Sequence, residues 1–200
     1  VNDARKILLD VGCGRLGASE TSPVFEGWRH IRVDVDPAVQ PDIIADLRDL
    51  APIGPGVADA LWAAHCLEHL HEHQLALALS EIRRVLKDDG FACIIVPDLQ
   101  TVAALIAEDR MDEPAYMSAA GPITPHDIVF GFGAAIARGE SAMAHRCGFT
   151  PAAMTRRLVA ARFGGFRLLR RPGFELVAVI RKTEWADARE CEALLLALNL

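Results

Sequence analysis

The sequence is short of basic charge. Lys and Arg number 21 against 27 Asp and Glu, a net charge of −6, so the electrostatic footprint of a nucleic-acid binder is missing and only a local basic patch has room. No apolar run approaches the ~18 residues of a membrane span, and the first residues lack the charged-then-apolar layout of a signal peptide. The expectation is a cytoplasmic protein with no nucleic-acid partner and no membrane span. Paired cysteines are missing too. The five thiols, Cys13, Cys66, Cys93, Cys147 and Cys191, are odd in number, scattered and mostly set in apolar segments. That argues against a disulfide framework or a zinc site and reads as buried thiols in a reducing compartment.

What is present is an apolar fraction of 52% in 200 residues, ample for one core, and nothing requires a second domain. Residues Leu8 to Gly17 read LLDVGCGRLG: an apolar strand through Asp10, then Gly12, Gly14 and Gly17 in a G-x-G-x-x-G loop. Such a loop off a strand lets backbone approach a ligand where a Cβ would hold it away. Another acid, Asp34, ends the next apolar stretch, where a carboxylate can accept hydrogen bonds from both hydroxyls of a ribose. On its own the glycine pattern is also a common structural turn.

Further strand-like runs follow at Ile43 to Ala45, Ala58 to Ala64 and Phe91 to Val96, the alternation of a parallel sheet. Between the last two, Leu75, Leu79, Ile82 and Leu86 share one helical face, and Gly90 is read as the stop. Thr150-Pro151 reads as an N-cap with proline at the first helical position. The runs Phe166 to Arg170 and Phe174 to Ile180 flank a turn at Arg171-Pro172-Gly173, which predicts an antiparallel hairpin at the sheet edge. The fold class is therefore α/β, Rossmann-like and doubly wound, with a mostly parallel seven-stranded sheet and an antiparallel C-terminal hairpin. Residues 98–149, with a capping box at Thr124 and Asp127, read as an insertion covering the strand ends. The tail 183–200 reads as a helix with more leucine than a free tail leaves in water. It is expected to dock on its own domain or on a second subunit, as in a homodimer.

Four segments in order, LLDVGCG, RVDVDP, DIIADL and ALWAAHCLEHL with EIRRVLKDDGFACIIVPDL, resemble the motifs of the class I S-adenosylmethionine-dependent methyltransferases, type 11 group, from about Ile7 to about Lys182. PITPHDIVFGFG and AHRCGFT are similar to a subset of short bacterial methyltransferases whose genes often accompany surface-glycan biosynthesis. The resemblance implies S-adenosylmethionine as cofactor. It implies Asp10, Gly12, Cys13 and Gly14 beside the methionine part, Asp34 with Val35 at the ribose, Asp46 and the Leu47 backbone at the adenine edge, and His65 facing the methionine. Asp36 is expected to cap the turn before Pro37, and Asp46 has a rival reading as a cap. The chain departs from the family between Gly17 and Ile31, where Ser22-Pro23 leaves room for only a short helix.

Methyl transfer from a sulfonium is an in-line displacement, so alignment supplies much of the rate and a base is required only when the acceptor must lose a proton. His65, His126 and His145 are the candidate bases. His65, His69 and His73 also share i, i+4, i+8 spacing, but His71 and His73 look like solvated loop, and no metal is expected. The expected acceptor is a small molecule, methylated on oxygen or nitrogen. Two rivals stand. A nicotinamide-dependent oxidoreductase would use the same glycine loop and Asp34, but gives no reason for Asp46 and lacks a Tyr-x-x-x-Lys pair, the only tyrosine being Tyr116. A cofactor-binding scaffold without transfer activity would share every motif.

Overall fold

Near-continuous apolar runs, whose successive side chains point to opposite faces, sort the strands into one sheet with two covered faces. The computed structural model describes residues 5–15 and 21–200. In chain order the elements are β1 (Ile7–Val11), β2 (Arg29–Asp34), β3 (Ile43–Ile44), β4 (Ala58–Ala64), α1 (Leu75–Val85), β5 (Leu86–Pro97), α2 (Leu99–Ala107), β6 (Tyr116–Ser118), β7 (Gly121–Ile123), α3 (Pro125–Phe130), α4 (Gly133–Ala137), α5 (Pro151–Ala160), β8 (Gly165–Arg171), β9 (Glu175–Arg181) and α6 (Ala188–Ala197). Seven strands form one sheet in the order β3-β2-β1-β4-β5-β9-β8. The first five are parallel, and β9 runs antiparallel to both β5 and β8. The expected fold class is the one observed, with the addition of a separate two-stranded pair, β6-β7.

On one face Leu9, Leu61 and Ile94 pack with Leu75, Leu79 and Ile82 of α1 and with Met154 and Leu158 of α5. Their neighbours Leu8, Trp62, Cys93 and Ile95 point to the other face, where they meet Phe25, Val177, Val179 and Leu198. A helical layer on that second face is supplied in part by the tail. Leu194, Leu195 and Leu200 pack against the same cluster, so the apolar tail docks on its own chain, with Leu196 left 75% exposed. Between Gly17 and Ile31 the described residues give only the short 3-10 turn Pro23–Phe25, capped by Ser22. Phe25 packs edge-on against Trp28 and Trp62 at centroid distances of 5.2 and 6.0 Å.

Two boundaries differ from the sequence reading. α1 ends at Val85, and Leu86 is already extended at φ −69°, ψ 142°, so Gly90 lies inside β5 and is not the helix stop. The strand bulges there, pairing Ala58 with Leu86 but Ala60 with Phe91. A Cβ on Gly90 would stand 2.8 Å from the Ala58 carbonyl oxygen, so the glycine serves close backbone approach. The predicted caps are present: Thr150 accepts from the Ala153 N–H, Asp36 from the Ala38 N–H, and Thr124 with Asp127 closes a capping box. Among the described residues no helix is long and apolar enough to cross a membrane. All five cysteines are free, with Cys13, Cys93 and Cys191 buried.

The segment after β3 is fastened to α1 by one ion pair. Glu81 accepts the Leu50 N–H at 2.7 Å and both Nε and Nη2 of Arg84 at 2.7 Å, while Arg84 donates to the carbonyls of Ile53 and Leu50. The Arg84 hydrogen bonds hold the Glu81 carboxyl below its usual range against the opposing effect of burial. A group depressed on folding contributes stability above its unfolded pKa and loses it as pH falls through the folded value. Glu81→Gln is therefore expected to cost about 1–2 kcal/mol at pH 7, with the difference from wild type shrinking on acidification below pH ~4. Urea unfolding at pH 7 and pH 3 measures both. A pH-independent difference would show that the charge is not what fastens the loop.

Candidate active site

The glycine loop leaves β1 in the left-handed region, Gly12 at φ +69° and Gly14 at φ +60°. A Cβ on Gly12 would stand 2.8 Å from Cβ of Cys66, so the loop is pressed against the end of β4 and only glycine fits. The loop is tied to β2 from several directions. Gly12 N–H donates to the Val33 carbonyl at 2.9 Å. Gly14 N–H donates to Oδ2 of Asp34 at 2.9 Å, and Nη2 of Arg32 donates to the Gly14 carbonyl at 2.6 Å. The other Asp34 oxygen accepts the Asp36 N–H at 3.0 Å. Asp34 is thus a loop tether, and each of its oxygens keeps a second lone pair. Gly17 lies outside the described residues.

Around this corner the remaining predicted cofactor residues gather at the C-terminal ends of the parallel strands, where ligands of open α/β sheets bind. Asp10 is buried in β1, in register with Arg32 and Trp62. Cys13 is buried beside the loop, and that burial raises its thiol pKa. Val35 leaves an apolar side chain 62% exposed next to Asp34. Asp46 takes the turn role weighed in the sequence. Its Oδ1 accepts the Arg48 N–H and Nε, both at 2.8 Å, and its Oδ2 accepts Nη2 at 2.5 Å. The hydrogen bonds from Arg48 lower its carboxyl pKa against burial. Leu47 is buried, and among the described residues no hydrogen bond engages its N–H.

His65 follows β4 in the left-handed region at φ +51°, a strained conformation for a residue with a Cβ. Its N–H donates to the Ile95 carbonyl at 2.9 Å, and its ring lies between two carboxylates, Nε2 3.0 Å from Glu175 and Nδ1 3.3 Å from Glu68. Burial opposes the charge, but the Glu175 hydrogen bond and the contact with Glu68 outweigh it and lift the pKa to about 10. His65 is therefore a cation at neutral pH, without the lone pair a base requires.

Beside it a cavity of about 170 Å³ opens between the strand ends and the 98–149 segment. His65, Glu68 and Pro97 form the strand side, and Tyr116, Ile128, Phe132 and His145 the other. That segment has a small core of its own, with Val102, Ile123 and Ile128 buried. It is laid along the residues after β4 by backbone bonds: the Arg146 and Cys147 N–H groups both donate to the Glu68 carbonyl, at 2.8 and 3.2 Å, while within the segment His145 N–H donates to the Phe130 carbonyl at 3.0 Å. A slightly larger cavity, about 210 Å³, lies by Lys6, Asp89 and Phe91. It is at the opposite end of the strands, away from the glycine loop.

The three candidate histidines separate. His145 lines the cavity, with Nδ1 2.9 Å from the Ile128 carbonyl, and burial lowers its pKa, so it is a neutral imidazole whose Nε2 carries the lone pair. His126 is exposed and packs on Phe130 at 5.0 Å. Two further residues at the cavity, Glu68 and His69, figure in the sequence only within the histidine-rich run and are set aside there with its metal reading. Glu68 is 1% exposed, with neither carboxylate oxygen hydrogen-bonded among the described residues. His69 has Nδ1 3.2 Å from the Ala144 carbonyl and its ring 5.0 Å from that of His145. The visible signal was the acid-histidine pair inside HCLEHL, but its partner is 77 residues away in AHRCGFT. His71 and His73 are exposed and stack on one another.

Comparison with known proteins places these features. Residues 9–94 match the family described as methyltransferase domain, type 11. No curated protein matches the chain. Solved structures of similar fold include the PH0226 protein from Pyrococcus horikoshii OT3, 14% identical with a TM-score of 0.59 over 88% of this chain and 82% of that one. Another is 1,6-didemethyltoxoflavin-N1-methyltransferase from Burkholderia thailandensis, solved with 1,6-didemethyltoxoflavin and S-adenosylhomocysteine, 22% identical with a TM-score of 0.54 over 90% and 72%. A third is human N-acetylserotonin methyltransferase in complex with SAM, 19% identical with a TM-score of 0.58 over 90% of this chain and 48% of that one. At these identities the likeness is one of fold.

Proposed function

From the match of residues 9–94 to the methyltransferase-domain family we propose that the chain, as one domain over 1–200, transfers a methyl group from S-adenosylmethionine to a small-molecule acceptor. The observation that carries the proposal is the joining of two features at Cys66 and His65. The glycine loop touches Cys66, and the next residue back, His65, lines the cavity, so a cofactor on the loop and an acceptor in the cavity meet at the end of β4.

In this reading the free lone pairs of Asp34 accept the ribose hydroxyls and Val35 lies under the adenosine. The adenine edge meets the Leu47 N–H and the one remaining lone pair on Oδ2 of Asp46. Asp10, Gly12, Cys13, Gly14 and His65 border the methionine, whose carboxylate finds a cation in His65. The acceptor sits beneath 98–149 and is methylated on oxygen first, nitrogen second. A neutral hydroxyl must shed a proton, and His145 is the histidine with a lone pair at the cavity. The similarity to methyltransferases encoded beside surface-glycan genes makes sugar hydroxyls the first acceptors to test. The five free cysteines fit a reducing cytoplasm.

Calorimetry with S-adenosylmethionine, S-adenosylhomocysteine and NAD tests the cofactor. Both adenosyl-sulfur ligands are expected to bind and NAD to give no heat. NAD binding without either adenosyl-sulfur ligand would return the chain to the oxidoreductase reading.

A further inference from the structure

Glu68, His69 and His145 bring one carboxylate and two imidazoles together, with one ligand atom from each within 4.8 Å of the other two. From this cluster we infer that the cavity wall binds a divalent transition-metal ion, zinc by ligand class, through Glu68 Oε2, His69 Nε2 and His145 Nε2. The argument does not rest on residue types alone. Each imidazole has Nδ1 on a backbone carbonyl, Ala144 for His69 and Ile128 for His145. A carbonyl only accepts, so Nδ1 carries the hydrogen in both rings and Nε2 keeps the lone pair. This is the outer-shell arrangement that fixes the tautomer and direction of a metal-bound histidine.

Glu68 supplies the independent observation. Its carboxylate is 1% exposed, and neither oxygen has a hydrogen-bond partner among the described residues. Oε1 faces Nδ1 of His65 at 3.3 Å, which leaves Oε2 for the ion. The His65 cation compensates Oε1 only; Oε2 is buried with no partner among the described residues, and a second cation supplies one. Tetrahedral coordination at about 2.1 Å separates ligand atoms by roughly 3.4 Å, so the three side chains close by about an ångström on binding. Two nitrogens and one oxygen suit zinc-like ions and disfavour magnesium, which takes oxygen ligands. Three protein ligands leave a position open toward the cavity.

Resting on the methyltransferase reading, that position takes the acceptor oxygen. The ion would lower the pKa of the bound hydroxyl and its proton pass to solvent; the alkoxide oxygen then forms the O–CH3 bond as the S–CH3 bond breaks in line, and S-adenosylhomocysteine leaves. In that arrangement His145 acts through the ion and does not itself take the proton.

The test uses the full chain purified without a histidine tag, stripped with chelator, then dialysed against Zn2+ or Mg2+ alone. Wild type is expected to retain close to one zinc per chain, to gain thermal stability with Zn2+, and to retain no Mg2+. Glu68→Gln and His145→Ala are expected to weaken zinc retention by more than the 10- to 100-fold typical of outer-shell changes. His73→Ala, on the same histidine-rich run, should leave it unchanged. If either ligand variant folds poorly, the zinc-induced shift in melting temperature of the other decides, because a merely structural role would leave that shift in place. Zinc retention that survives both ligand substitutions, or that is lost in His73→Ala, overturns the site. Calorimetry of the stripped protein separates the two readings. S-adenosylmethionine binding with no zinc retention sinks the ion site alone, and zinc retention with no S-adenosylmethionine binding sinks the methyltransferase reading alone.

Discussion

Asp34→Ala is expected to weaken S-adenosylmethionine binding by roughly 30- to 700-fold, equivalent to about 2–4 kcal/mol. Two effects add. The substitution removes charge-assisted bonds to the ribose hydroxyls, and it releases the Gly14 N–H at 2.9 Å and the Asp36 N–H at 3.0 Å that shape the loop before any ligand arrives. Asp34→Asn separates them: its amide oxygen can hold one of the two N–H groups, while the charge is lost, so its affinity is expected to fall between wild type and alanine. Neither change touches the core, and the melting temperature should move far less than the affinity. Calorimetric titration of all three proteins makes the measurement. Equal affinity in wild type and alanine would remove Asp34 from the cofactor site and leave it a loop tether.

The parts of the fold that were legible in sequence are those set by local physics. The unbroken apolar runs through Leu8-Leu9 and Leu61-Trp62 mark strands covered on both faces. Thr150-Pro151 and Thr124-Pro125-His126-Asp127 are caps whose partners lie within three residues. Features decided by distant chain were hidden. β5 begins at Leu86 because it follows β4 through a bulge at Gly90, which a turn glycine imitates in sequence. His65 reads as a neutral base until Glu175, 110 residues on, arrives beside it and charges it. Glu68 and His69 read as family pattern until backbone bonds from Arg146 carry His145 to them. Asp46 is an exception of another kind, since Arg48 is two residues away and the pair could have been read directly.

The other large effect is expected at the base of the cavity wall, in Asp98→Ala. Asp98 is fully buried where β5 passes into α2. Its carboxylate accepts the Gln100 N–H at 3.1 Å, Oγ1 of Thr101 at 2.7 Å and Nε of Arg170 in β8 at 2.6 Å. Its own N–H donates to the Phe174 carbonyl at 2.7 Å, and the adjacent Leu99 N–H donates to Phe149 at 2.9 Å. One residue thus joins the sheet, the start of α2, the hairpin and the returning end of the 98–149 segment. Alanine would take the N-cap acceptor from the Gln100 N–H and the Thr101 hydroxyl, which lie in exposed residues and pass to water. Arg170 is half exposed and can turn to water, so its lost ion pair adds little. The expected cost is about 1–2 kcal/mol, that of a lost helix N-cap. Because the lost bonds lie at the root of the wall, amide exchange should accelerate most in 98–149 and least in β1 and β4, with S-adenosylmethionine affinity nearly unchanged. Asp98→Asn, which keeps an acceptor for the cap, should lose roughly half as much stability. Exchange that accelerates equally in β1, β4 and 98–149 would show that Asp98 supports the whole sheet and does not specifically anchor the cavity wall.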